Sequence, residues 1–116
     1  MANTKTSAEY VLVFTTLPQD ADPAAFARAL VDERLAACVN LLPPMESIYR
    51  WEGSVERETE RQLIIKTTRE RTVALWDRVR ELHPYEVPEF VVVPIVDGND
   101  AYLRWIAEAT GGPQTA

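Results

Sequence analysis

The chain is poor in the residues that most often carry chemistry. Its 116 residues include a single cysteine, Cys38, and a single histidine, His83. One cysteine excludes an intrachain disulfide, so nothing points to an oxidising compartment. Basic residues are outnumbered, 12 Lys+Arg against 18 Asp+Glu, for a formal net charge of −6. That balance argues against nucleic acid or an anionic membrane surface as partner, since both need a basic footprint. Long apolar runs are missing too. The most apolar stretch, Phe90 to Val96, is interrupted by Pro94 and falls far short of the ~20 residues that span a bilayer. The first ten residues are polar and lack an apolar signal core, so a soluble cytoplasmic protein is expected. Metal-site, phosphate-loop, dinucleotide and nucleophile-elbow motifs are all missing. With no nucleophile–base–orienter set, no catalytic residue and no enzymatic activity are expected.

What is present is an ordinary globular composition, 47% hydrophobic and 26% charged, in a length that suits one domain. We expect one domain over residues 8–110 between disordered tails at 1–7 and 111–116. Tyr10 to Thr16 is β-branched and aromatic, a strand. Asp22-Pro23 pairs an N-cap residue with proline at the first helical position. Phe26, Ala27, Leu30, Val31 and Leu35 then recur at helical spacing. Cys38 to Leu42 reads as a second strand, interrupted at Pro43-Pro44 and resumed from Met45 to Trp51. Glu52-Gly53-Ser54 turns the chain into a third strand, Val55 to Lys66. Thr67 with Glu70 forms a capping box for a second helix whose inner face is Val73, Leu75, Trp76, Val79 and Leu82. His83-Pro84 stops it. Val87 to Val96 is a fourth strand, and Asp97-Gly98-Asn99 caps a last helix over residues 100–109.

The order βαββαβα predicts an α+β ferredoxin-like sandwich with an extra C-terminal helix. Strands two and three run about 13 residues each, or ~43 Å at ~3.3 Å per residue. A compact domain of this size has a radius of gyration of only ~13 Å. Part of the hairpin therefore projects, unless Pro43-Pro44 folds it back. A ribbon carrying Ile48, Tyr49 and Trp51 suits a subunit interface, and Trp105 on the last helix suits core or interface packing.

Three groups of residues are candidates for a site. His83 ends a helix, where the dipole favours its protonated form; it is a metal ligand, a proton carrier or a plain helix terminus before Pro84. Cys38 follows two alanines and reads mainly as a small buried hydrophobe. Glu56, Glu58 and Glu60 alternate along the third strand with Gln62 and Lys66 in phase. A hairpin loop of two or four residues puts that row on the face of Ser47, Tyr49 and Trp51. The row is either a polar cleft with aromatic walls for a cation or small ligand, or a solvated edge. Tyr85, Glu86 and Glu89 sit in a loop stiffened by Pro84 and Pro88.

Five spaced blocks then agree with one family. They are Ala36-Ala37-Cys38-Val39-Asn40; Ser47-Ile48-Tyr49-Arg50-Trp51-Glu52-Gly53; Glu60 with Lys66-Thr67; His83-Pro84-Tyr85-Glu86-Val87-Pro88; and Tyr102-Leu103-Arg104-Trp105. Together they closely resemble the CutA family of divalent-cation tolerance proteins, from about Tyr10 to Ala109. The resemblance implies a homotrimer similar in architecture to the PII signalling proteins, a link to divalent metals and copper above all, no required cofactor and no catalysis. By a count of the donors one chain offers, His83, Cys38 and Glu86 are the metal candidates, with Cys38 reading as structural. The resemblance also implies an intersubunit ligand cleft built from Tyr49, Trp51, Glu58, Glu60, Lys66 and Tyr85, with Ile48, Tyr49, Trp51 and Trp105 at the trimer interface. Copper-binding members can carry a thiol late in the first strand and a His-His pair before the Pro-Tyr. Here those places read Thr15 and Leu82-His83. Copper favours imidazole and thiolate donors, so weak copper binding is expected, with PII-like binding of a small ligand or partner as the alternative.

Overall fold

A computed structural model describes residues 9–111. The tail expected over 1–7, and the 111–116 tail beyond Gly111, lie outside the described residues. The elements are β1 (Tyr10–Pro18), α1 (Pro23–Asp32), β2 (Cys38–Trp51), β3 (Ser54–Thr68), α2 (Thr72–Leu82), β4 (Val91–Pro94) and α3 (Asp100–Thr110). The strands form one antiparallel sheet in the order β2-β3-β1-β4. This is the ferredoxin-like βαββαβ arrangement followed by one further helix.

Alternation along the strands sorts the sheet into two faces. Val11, Val13 and Leu17 of β1 and Leu63 and Ile65 of β3 point to one face and form the core with Phe26, Leu30, Leu75 and Val79 of α1 and α2. Lys66, one residue out of phase, lies under Tyr102 of α3, so α3 covers part of the opposite face.

Local signals act as expected at several points. The Asp22 carboxylate accepts the Ala25 N–H and Pro23 opens α1. The Asn99 side chain accepts the Ala101 and Tyr102 N–H groups at the start of α3. Glu52 and Gly53 both have positive φ, 49° and 86°. Those are the signs a two-residue type I′ turn requires between right-twisted strands.

Other expectations fail for identifiable reasons. Thr67 does not cap a helix. It is fully buried in β3 opposite Val11, and its hydroxyl donates to the Leu35 carbonyl at 2.7 Å. A 3-10 turn at Arg69–Arg71 intervenes, and α2 begins only at Thr72. Val73 is exposed, because at ~100° per residue it lies on the side of α2 away from Leu75 and Val79, which are buried. Val31 is likewise at the surface. The fourth strand is four residues, not ten. Pro88 has no N–H to give a ladder, and the segment before Val91 leaves the sheet edge to wrap the site described below.

The hairpin projects. β1 pairs with β3 only as far as Pro18 opposite Glu60, whereas β2 continues to pair until Trp51 meets Ser54. Among the described residues, the ribbon beyond Glu60 has two strands only. The molecule measures 47 × 30 × 23 Å with a radius of gyration of 15.4 Å, above the ~13 Å of a compact domain.

Two of the buried threonines, Thr67 and Thr15, predict opposite responses to the same isosteric change. Thr67→Val strands the buried Leu35 carbonyl and should cost about 1–3 kcal/mol. The Thr15 hydroxyl is buried with no hydrogen-bond partner among the described residues. Thr15→Val removes that orphan and should raise stability by about 1 kcal/mol. Urea unfolding of both variants checks the pair of signs.

Candidate functional site

The site lies where the ribbon leaves the domain. Between Leu41 (opposite Leu63) and Pro44 (opposite Arg61), β2 carries one residue more than β3. This bulge holds Pro43-Pro44, the place a sheet tolerates proline. The Arg61 guanidinium donates to the freed Leu42 carbonyl at 2.9 Å. The extra residue reverses side-chain parity. Before it, odd-numbered β2 residues such as Val39 and Leu41 pack against the core. After it, Ser47 pairs with Glu58 and Tyr49 with Glu56, on the face opposite the core. The expected common face for the aromatics and the acidic row is therefore present.

From the other side, the loop after α2 wraps over the sheet. His83 caps α2 and is 8% exposed. Its Nδ1 accepts the Tyr85 N–H at 3.1 Å, which leaves Nε2 to donate to the Thr16 carbonyl at 2.6 Å. The ring meets Phe26 edge-on and lies 5.0 Å from the Tyr85 ring. So anchored, the loop holds the Tyr85 hydroxyl 3.4 Å from Glu60 Oε1. The Gln62 amide ties the loop's end, donating to the Thr15 carbonyl at 2.8 Å and to Glu89 Oε2 at 3.2 Å.

Ribbon and loop enclose a pocket of about 620 Å³. Tyr49, Trp51 and Tyr85 are its aromatic walls, and Glu60, Glu86 and Glu89 its carboxylates; Thr16, Ser47, Pro84 and Val87 complete it. No Lys or Arg lines it among the described residues. Burial, reinforced by Glu60, pushes the Tyr85 phenol up to about 12. Tyr49 is raised as well, by desolvation and then by Glu58, Glu56 and Glu60. Both phenols stay neutral donors in a negative field.

The structure brings Tyr49, Trp51, Glu60, Tyr85 and Glu86 together. Glu58 is on the same face but outside the pocket lining. Lys66 is not there: it lies six residues along β3 from Glu60, ~20 Å away, with its ammonium over Tyr102. Cys38 pairs opposite Lys66, about four residues or ~13 Å along the sheet from the level of Thr16 and His83. Cys38 and His83 therefore share no site within one chain. Among the described residues no group of three His, Cys, Asp or Glu side chains is placed to hold a metal. Ile48 points to the ribbon's other face, opposite Arg57, and is 70% exposed; Trp105 is exposed on α3, stacked near Tyr102. Thr16 went unnoticed in the sequence. Its place follows from strand parity once the pairing of β1 with β3 is known.

Comparison with known proteins decides the family. Residues 11–109 match the model of the CutA1 divalent ion tolerance protein family. The chain belongs to that family. The divalent-cation tolerance protein CutA of Thermus thermophilus is 49% identical over 86% of this chain and 97% of its own length. A solved structure of the divalent cation tolerance protein from Thermus thermophilus superposes with a TM-score of 0.85 at 48% identity, covering 88% of this chain and 99% of that one. The human protein CutA is 45% identical over 84% of this chain; the chain spans about half, 54%, of the human protein's length.

In this member the imidazole of His83 is committed to backbone partners. The helix dipole was expected to favour its protonation. Burial outweighs it and lowers the pKa below the ordinary 6.5, against the opposing pull of the Thr16 carbonyl and Glu60. Since the unfolded histidine binds a proton first, this contribution to stability is complete above about pH 6.5 and declines as the pH falls toward the folded value. Urea midpoints measured from pH 7.5 down to 5 should fall for the wild type, and His83→Gln should flatten that fall.

Proposed function

We propose that this chain acts in divalent-metal tolerance as a cytoplasmic, non-enzymatic homotrimer that binds divalent copper weakly. The observation that carries the reading is the family match over residues 11–109. No described helix is long and apolar enough to cross a membrane.

The surface supports assembly. Ile48 and Val55 on one face of the ribbon, Trp51 on the other, and Tyr102 and Trp105 on α3 are all exposed apolar groups. A two-stranded ribbon is marginal in water by itself. Packing on a neighbour covers exposed groups of this kind, and aromatic residues are enriched at such interfaces, while the Tyr49 and Trp51 side of the ribbon lines the pocket.

The donor chemistry supports weak metal binding. A tight copper site needs several imidazole or thiolate donors, and one chain brings one imidazole with both nitrogens already engaged. A metal at His83 Nδ1 must displace the Tyr85 N–H, and Glu86 and Glu89 supply only hard oxygen. The same engagement supports a non-enzymatic role, because among the described residues both ring nitrogens of His83 are bonded to backbone groups and not to a hydroxyl or thiol that it could activate. The pocket itself favours the alternative reading, a PII-like trimer that binds a small ligand.

Light scattering on the purified protein should return three times 13.1 kDa; a stable monomer at micromolar concentration refutes the trimer. Copper titration should show micromolar or weaker affinity that declines in acid and in His83→Ala. Nanomolar affinity would overturn the donor count.

A further inference from the structure

The pocket carries more negative charge than the described residues of one chain neutralise. Glu60 is only 9% exposed. The one hydrogen bond to its carboxylate among the described residues is the long contact from the Tyr85 hydroxyl. Among the described residues, no Lys, Arg or His nitrogen pairs with it within 4 Å. A buried carboxylate without a cation is unfavourable, and Glu86 and Glu89 add to it around the same space. The three arginines of the ribbon point to its other face. Arg50 pairs with Val55, in phase with Ile48, and Arg57 and Arg61 occupy the alternate positions of β3, Arg57 bonded to Glu46 and Arg61 to the Leu42 carbonyl.

Two observations fix the kind of cation. First, the three carboxylates line one pocket without converging as a metal-holding group. A compact divalent ion needs oxygens gathered within a single coordination shell. Second, the walls between the carboxylates are the rings of Tyr49, Trp51 and Tyr85, and aromatic faces attract ammonium groups while covering apolar stems. The volume, about 620 Å³, is that of a small organic ligand.

We propose that this pocket binds an extended organic cation, a linear aliphatic polyamine in which separated ammonium groups meet Glu60, Glu86 and Glu89 while the methylene segments lie against Tyr49, Trp51 and Tyr85. The proposal is independent of metal binding and is tested without metal.

The test is calorimetric titration of spermidine into the assembled full-length protein, in buffer containing a chelator. Saturable binding is expected, and magnesium added at matched ionic strength after removal of the chelator should leave it in place. Glu60→Gln keeps the shape of the side chain and should weaken binding at least tenfold. Trp51→Leu should weaken it several-fold and remove the accompanying change in tryptophan fluorescence. Glu108→Gln, on α3 and outside the pocket lining, should change nothing. The proposal is overturned if spermidine gives no saturable binding, which would mean that a neighbouring subunit fills the pocket. It is equally overturned if Glu60→Gln and Glu108→Gln bind alike, or if magnesium displaces the probe. Tight copper binding would defeat the functional reading above and leave this result standing.

Discussion

One extra residue in β2 governs the site. Strand side chains alternate, so a regular pairing would have kept Val39, Leu41, Pro43 and their successors on one face throughout. The core demands Val39 and Leu41 on the helix side. Without the bulge between Leu41 and Pro44, Tyr49 and Trp51 would follow them onto the face of Arg57 and Arg61, and Glu60 would look across at Ile48's face of the ribbon. The two prolines make the irregularity stable rather than incidental, since neither can serve a regular ladder with an N–H. Arg61 then satisfies the carbonyl that the bulge releases. A packing requirement in the core and an aromatic wall outside it are thus reconciled within four residues.

His83 plays the matching part on the other side. Its two nitrogens join the Thr16 carbonyl of β1 to the Tyr85 N–H of the loop, and its ring fills space beside Phe26. A neutral imidazole can make both bonds at once, as donor and acceptor; a protonated one loses the acceptor. Burial selects the neutral form. The histidine is therefore a strut that aims Tyr85 at Glu60. The pocket inherits its shape from this strut and from the Gln62 bridge between β1 and Glu89.

Much of this was legible in the residues, for local reasons. Asp22-Pro23, Asn99 and the Glu52-Gly53 turn act through bonds within a few positions, and alternation alone aligned Glu56, Glu58 and Glu60 with Ser47, Tyr49 and Trp51. What failed depends on contacts distant in sequence. Thr67 and Glu70 have capping-box spacing, yet the Leu35 carbonyl, 32 residues away, claims the Thr67 hydroxyl. Lys66 is in phase with Glu60 and still absent from the pocket, because phase gives the face of a strand and not the position along it. His83 at a helix end invites a dipole argument, but its burial beside Phe26 is a tertiary fact. Thr16 carried no signal at all before the register was known.

The ribbon connects the pocket to assembly. Its acidic and aromatic face forms one wall of the cavity, and its other face presents Ile48 and Val55 beside the Arg57–Glu46 pair. Exposed ion pairs of that kind contribute little, so they do not stiffen the arm. Past Glu60 no third strand among the described residues supports it, and the I′ turn only closes its tip. Rigidity must come from burying the apolar groups that the isolated chain leaves exposed. In the proposed trimer a neighbour does this, and the wall carrying Tyr49 and Trp51 is then held against the loop carrying Tyr85. A ligand that bridges the two walls would favour the same arrangement. Binding and assembly are for that reason thermodynamically linked: whatever stabilises the ribbon's position strengthens the pocket, and an occupied pocket stabilises the assembly by the same free energy.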